Sequence, residues 1–266
     1  MFFKFFWLLL FPIGLFAQDL NTLKKLGYQM YNEPGEPERM QANYAFIPAL
    51  VNLLKSPRSF DHPLDSLKMI SIQYPPDRSF RIFSWFIQLA DGSYRYFGAI
   101  QRNTKDGSLN LFPLVDQSSA ISDPQLAVLN SEKWLGAQYY RVVELDKTKG
   151  IYILLGWKGK NLKTTQKVLE ILQFKNNEPL LGATVFNAKG LEAFTRIIYE
   201  YSKQAAMYME YDAASNRIVV DHLAASEDKY QGDFAFYGPD MSQDAWIIQQ
   251  GKLQLQENIP FKKPGK

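Results

Sequence analysis

The feature that most constrains this chain is a pair of aromatic-rich stretches, residues 80–89 (FRIFSWFIQL) and 93–101 (SYRYFGAIQ), joined through Ala90-Asp91-Gly92. An Asp-Gly dipeptide supplies the positive φ angles of a tight turn, and here it lies between runs of β-branched and aromatic residues, which predicts an antiparallel hairpin. A second such dipeptide, Asp106-Gly107, leads into residues 109–115 and extends the hairpin to a three-stranded meander. Large apolar groups occupy both faces of 80–89: Phe80, Ile82 and Phe86 on one, Phe83, Trp85 and Ile87 on the other. A strand of that kind is expected to be central and covered on both sides, with the N-terminal helices as candidate cover.

Short apolar runs separated by turn residues continue almost to the C-terminus. The runs at 139–145, 151–157, 168–174, 180–186, 196–202, 205–211, 217–222, 233–237, 245–249 and 252–256 bring the expected total to about twelve strands. Residues 116–124 read as a loop, 125–134 as a short helix, and the polar interval 158–167 as a connection. Hairpin spacing without intervening long helices makes a parallel sheet improbable, so the expected fold is mainly β: an antiparallel meander forming a sandwich, a barrel or a propeller-like body. No repeat is regular enough to mark propeller blades.

Residues 18–60 have a different period. Met40, Tyr44, Ile47, Val51 and Leu54 recur at helical spacing opposite Arg39, Gln41 and Asn43. Gly35-Glu36-Pro37 starts this helix, Pro48 is expected to kink its middle and Ser56-Pro57 ends it, while a shorter helix is expected over 20–31. The expected organisation is a leader at 1–17, a helical segment at 18–60, an antiparallel β domain at 61–258 and a basic tail at 259–266.

The leader MFFKFFWLLLFPIGLFA places Lys4 ahead of an apolar run that ends in small or apolar residues before Gln18-Asp19, the pattern of a signal peptide cleaved after Ala17; an uncleaved anchor is the alternative. No later stretch is apolar for long enough to span a membrane, so the cleaved product is not expected to be an integral membrane protein. The expected location is outside the cytoplasm: periplasm, outer-membrane surface or extracellular medium. The chain has no cysteine, which excludes disulfides, thiolate metal sites and a cysteine nucleophile. A formal charge of +3, less Lys4 after cleavage, gives no general electrostatic grip on nucleic acid. The Lys262, Lys263 and Lys266 cluster reads as a solvated end.

Several phrases occur together: DSLKMISI followed by RIFSW (65–85), YYRVVEL followed by YILLGWKG (139–159), RIIYEYS (196–202), RIVVDHL (217–223) and FYGPDMSQDA (236–245). Together they resemble a family of secreted proteins of Bacteroidota-type bacteria with no assigned activity, over most of the mature chain. The resemblance implies export and a shared fold but no mechanism. Members of that family often carry aspartate where this chain has Lys158, so a carboxylate role in the GW-x-G loop is in doubt here.

No G-x-S-x-G elbow is present to mark a catalytic serine. The segment Gly156-Trp157-Lys158-Gly159-Lys160 lacks the first glycine and the Ser or Thr of a phosphate loop, and reads as a strand end and solvated turn. The only histidines are His62, a turn residue in Asp-His-Pro, and His222, which with Asp221 and Glu210 forms the weak catalytic candidate set, although strand neighbours such as Asp221 and His222 point to opposite faces. Asp240, Ser242 and Asp244 alternate like oxygen ligands for calcium; a Gly-Pro-Asp turn whose aspartate bonds its own backbone explains the same residues. Tyr199, Tyr201, Tyr208 and Tyr211 could offer a stacking face for a glycan or a protein partner, with cross-strand core packing as the simpler explanation.

The leading functional expectation is an exported, non-catalytic binding or accessory protein of the bacterial envelope, with an aromatic-rich β surface for a protein or glycan partner. No bound cofactor is expected. A glycoside hydrolase drawing a carboxylate pair from Glu210, Asp221, Asp240 and Asp244, and a calcium-stabilised structural protein, are the alternatives.

Overall fold

The computed structural model describes residues 13–260, with side chains from Asp19 onward. The leader therefore lies almost wholly outside the described residues, as do Lys262, Lys263 and Lys266 of the basic tail. The chain divides into two units: residues up to Met69 with Asp106–Leu109, and Ile70–Lys105 with Asn110 onward.

In the first unit the amphipathic periodicity becomes two packed helices, α1 (Ile13–Asn32) and α2 (Glu36–Leu54). Proline in the first turn of α2 is tolerated because the N–H it lacks would have no helical partner there. Pro48 lies inside α2, which continues past it to bury Leu50, Leu53 and Leu54. A 3₁₀ turn at Ser59–Asp61 follows, and the Arg58 amide donates to the Gly107 carbonyl at 3.1 Å.

Among the described residues the second unit has fifteen strands: β1 (Ser71–Gln73), β2 (Phe80–Gln88), β3 (Tyr94–Arg102), β4 (Asn110–Val115), β5 (Leu129–Asn130), β6 (Gln138–Asp146), β7 (Ile151–Gly159), β8 (Thr164–Lys175), β9 (Glu178–Leu181), β10 (Phe186–Asn187), β11 (Ile197–Ser202), β12 (Met209–Asp212), β13 (Arg217–Ala225), β14 (Tyr237–Gln249) and β15 (Lys252–Ile259). They form a first sheet β1-β2-β3-β4, a second sheet β5-β9-β8-β7-β6 with β11 paired to β8, and a third sheet β10-β15-β14-β13-β12. Every strand pair is antiparallel except β10 with β15. The Asp91-Gly92 hairpin forms as expected: Gly92 has φ +82°, and Asp91 Oδ1 accepts from the Ser93 amide and hydroxyl.

Period-two alternation lets the second sheet bury both of its faces. Tyr152 and Leu154 of β7 join Phe80, Ile82 and Ile100 of the first sheet in one core, while Ile153 and Leu155 join Ile218, Val220 and Trp246 of the third sheet in another. Each such side chain contributes about 1.5–3 kcal/mol of burial free energy. The three sheets therefore stack as in a sandwich, and none closes into a barrel. Both faces of β2 are buried from Phe80 to Ile87 apart from the half-buried Phe86.

Three local expectations need correction. Residues 125–134 form no helix, because the carbonyls of Pro124 and Ala127 are drawn to the Arg196 guanidinium and Leu129 pairs into the second sheet. The run 180–186 is two strands separated at Gly182, whose φ of +107° only glycine adopts readily. Residues 233–237 hold a 3₁₀ turn, Phe234–Phe236, before β14 begins.

Candidate functional site

The polar interval after Trp157 was expected to be a solvated connection, but β7 runs on to Gly159 and β8 begins at Thr164. Two-residue periodicity carries Lys158 onto the face that already holds Tyr152, Leu154 and Gly156, so its side chain turns inward and is only 8 % exposed. That alternation was the available sequence signal, masked by the turn-like Gly-Lys pair beside it.

Lys158 Nζ donates to the Leu135 carbonyl at 2.7 Å and the Gly136 carbonyl at 3.0 Å, and lies 4.4 Å from the centre of the Tyr96 ring. Tyr96 is fixed at both ends, its hydroxyl donating to the Gly159 carbonyl at 3.1 Å and its amide to Asp116 Oδ2 at 3.0 Å. Gly136 has φ +76°, and a Cβ there would lie 2.8 Å from the Tyr96 ring, so glycine is what lets this backbone approach the lysine.

Around this lysine, the start of β3, the loop after β4, Leu135, the β7–β8 turn, Gln166 of β8 and Ile198 of β11 line a cleft of ≈ 560 Å³ in the second unit. Its lining includes Ser93, Ser118, Ser119, Ser122, Gln166 and Tyr94; the Ser93, Ser118 and Gln166 groups also donate to Asp91, Asp116 and Glu200. Tyr94 packs edge-on to Trp157 with ring centres 5.4 Å apart and to Phe86 at 5.5 Å, which holds the ring at the wall.

The charges here are unevenly matched. Asp116 Oδ1 accepts from the amide and hydroxyl of Ser118 as well as serving Tyr96 through Oδ2. Lys160 pairs with Glu200 at 2.7 Å, and Gln166 donates to the same carboxylate at 2.8 Å. Among the described residues no carboxylate comes within 4.0 Å of Lys158 Nζ, whose partners are two carbonyl dipoles and a ring face. Burial pushes its ammonium down to about 8, against the attraction of Asp116 and Glu170.

Deeper in the same core, the buried pair Arg196–Glu170 closes at 2.6 Å. Arg196 also donates to the Ala127 carbonyl at 2.8 Å and the Leu181 carbonyl at 3.0 Å, while Trp134 Nε1 donates to Tyr139, whose hydroxyl donates on to Glu170. Lys158 and Arg196 thus tie down the 124–136 segment from two points. The sequence signal for this pair was the single charge in the apolar run Val168-Leu169-Glu170-Ile171-Leu172.

The residues singled out from the sequence lie elsewhere. Asp221 and His222 do point to opposite faces of β13: Asp221 accepts from the Tyr208 amide at 2.8 Å and Gln243 at 3.0 Å, while His222 Nδ1 meets Asp244 at 3.0 Å on the exposed side. The hydrogen bond to Asp244 holds the His222 imidazolium above its ordinary range, despite partial burial. Glu210 sits half-buried on β12 opposite Val219, with no hydrogen bond or ion pair joining it to either residue. None of Glu210, Asp221, Asp240 and Asp244 lines the cleft.

Asp240 Oδ1 accepts from the amide and hydroxyl of Ser242. The same bonding recurs at Asp91/Ser93, Asp106/Ser108, Asp116/Ser118 and Asp146/Thr148, so this is the chain's general way of closing a turn. No group of three or more acidic or histidine side chains among the described residues is arranged to hold a metal ion. The four tyrosines are divided: Tyr201 is buried between the second and third sheets, Tyr199 accepts from Trp246 Nε1 at 2.7 Å at their contact, Tyr211 donates to Asn216, and Tyr208 packs by Val219 and Ile259. No helix among the described residues is long and apolar enough to cross a membrane. No protein-family model matches the chain, no curated protein is similar to it, and no solved structure matches it.

Proposed function

We propose that this chain is an exported binding protein of the bacterial envelope and that its ligand, a short glycan or the end of a longer one, occupies the cleft above Lys158. The observation that carries the reading is the composition of the cleft: ≈ 560 Å³ lined by four serines, Gln166 and a tyrosine ring held in place by Trp157 and Phe86. That volume falls within the range of small-ligand sites and accommodates one or two sugar rings. Hydroxyl-rich walls exchange hydrogen bonds with sugar hydroxyls, and a tyrosine face stacks on the apolar side of a pyranose. The leader sequence supports export, which brings such a site into contact with envelope glycans.

The test is titration calorimetry of the protein from Gln18 onward against a panel of mono- and disaccharides, with Tyr94→Ala as the control. Saturable binding that weakens about tenfold in the variant, the scale of one lost aromatic contact, is the expected result. Absence of binding across the panel would contradict the reading.

A further inference from the structure

The uneven charge of the cleft carries the reading further, on the footing that the cleft is a glycan site. A buried ammonium is stable only when a counter-charge or several dipoles compensate it. Lys158 has two carbonyls and the face of Tyr96, and no carboxylate at ion-pair distance among the described residues. The acids whose charges act on it are committed: Asp116 to the Tyr96 amide and Ser118, Glu170 to Arg196. Lys160, on the following turn, is neutralised by Glu200. What stays unmatched is Lys158, at the base of the cleft.

We propose that the cleft's ligand is a small acidic sugar whose oxyanion, a carboxylate or a phosphate, supplies the counter-charge that Lys158 lacks. The ammonium donates to Leu135 and Gly136 and faces the Tyr96 ring, and in the proposed complex its remaining N–H turns to the anion. The serine hydroxyls and the Tyr94 ring then take the neutral part of the sugar. Burial holds the Lys158 ammonium at about 8 in the free protein, and an anion beside it favours the charged form, so binding draws a proton onto the lysine in mildly alkaline solution. The titratable or charged groups facing this lysine are Tyr96 from β3, Asp116 just after β4, Glu170 from β8 and Lys160 from its own turn.

The experiment titrates wild-type protein with digalacturonate, with the neutral digalactose of the same size, with galactose 1-phosphate and with inorganic phosphate, in two buffers of different ionisation enthalpy at a pH just above 8. At least one acidic sugar is expected to bind roughly 10- to 100-fold more tightly than the neutral one, the scale of one charge-assisted hydrogen bond. The digalacturonate and galactose 1-phosphate arms decide between carboxylate and phosphate. The tighter ligand takes up a substantial fraction of one proton, and Lys158→Met removes both the preference and the uptake. The proton count is made on wild-type protein, so the test survives if the variant fails to fold. Equal affinity for acidic and neutral sugars overturns the inference while leaving the glycan site standing; inorganic phosphate binding as tightly as either acidic sugar also overturns it, because the sugar-facing walls would then contribute nothing. If no sugar binds, both readings fall.

Discussion

A lysine buried without an acid has consequences for stability that can be worked out in sign. Its folded value, about 8, lies below the ordinary 10.5, so the unfolded chain binds more protons than the native one between those two limits. Stability from this group is therefore lowest below pH 8, where both states are charged and the native one carries the burial penalty. It rises as the pH climbs from 8 to 10.5. Against a Lys158→Met reference, which removes the titration and leaves the other ionisations in place, the wild type is expected to gain on the order of 3 kcal/mol over that window. Denaturant unfolding of both proteins at pH 7 and pH 10 measures it, and a pH-independent difference would show the ammonium to be effectively solvated.

The next residue, Gly159, makes a separate point. A Cβ there would come within 2.4–2.6 Å of ring atoms of Tyr94, and the ring, lying at the cleft wall, is what would move. Gly159→Ala is expected to cost about 1–2 kcal/mol of stability and to weaken sugar binding by at least the amount lost in Tyr94→Ala. A variant that binds normally would remove Tyr94 from the site.

At the level of elements, the β2–β3, β3–β4 and β6–β7 hairpins close with one device, an aspartate that accepts from the amide and hydroxyl two residues on. Because the Asp240-Met241-Ser242 turn shares it, calcium has no special claim there, and a chelator is expected to leave the melting temperature unchanged. A fall of several degrees on chelation would contradict this. The connection between β4 and β6 depends on a different device, the pair Arg196–Glu170 with the carbonyls that Arg196 also serves. Glu170→Gln keeps the shape but strips a fully buried guanidinium of its counter-charge, so a loss of about 3–5 kcal/mol is expected by denaturant unfolding. Faster amide exchange at Thr195, whose N–H reaches across to the Gln125 carbonyl, should accompany it.

For the molecule as a whole, the β class was legible because turn chemistry and alternation are local: Asp91-Gly92 sets a hairpin whatever lies elsewhere in the chain, and the double-faced apolar pattern of residues 80–87 requires cover on both sides. The layering was not legible. It rests on pairings between distant segments, β11 onto β8 and β10 onto β15, and on the second sheet lying between the other two, which no single strand announces. The site was hidden for the same reason. Its walls come from residues near 94, 118, 135 and 158, and a lysine beside two glycines reads as a turn until the strand is known to continue through it.

The most direct test of the account is an NMR titration of the Lys158 side-chain amine in the free protein, repeated with the tightest-binding acidic sugar. A midpoint near 8 that moves upward with the sugar bound is the predicted result. A midpoint among the solvent-exposed lysines, unmoved by ligand, would contradict it.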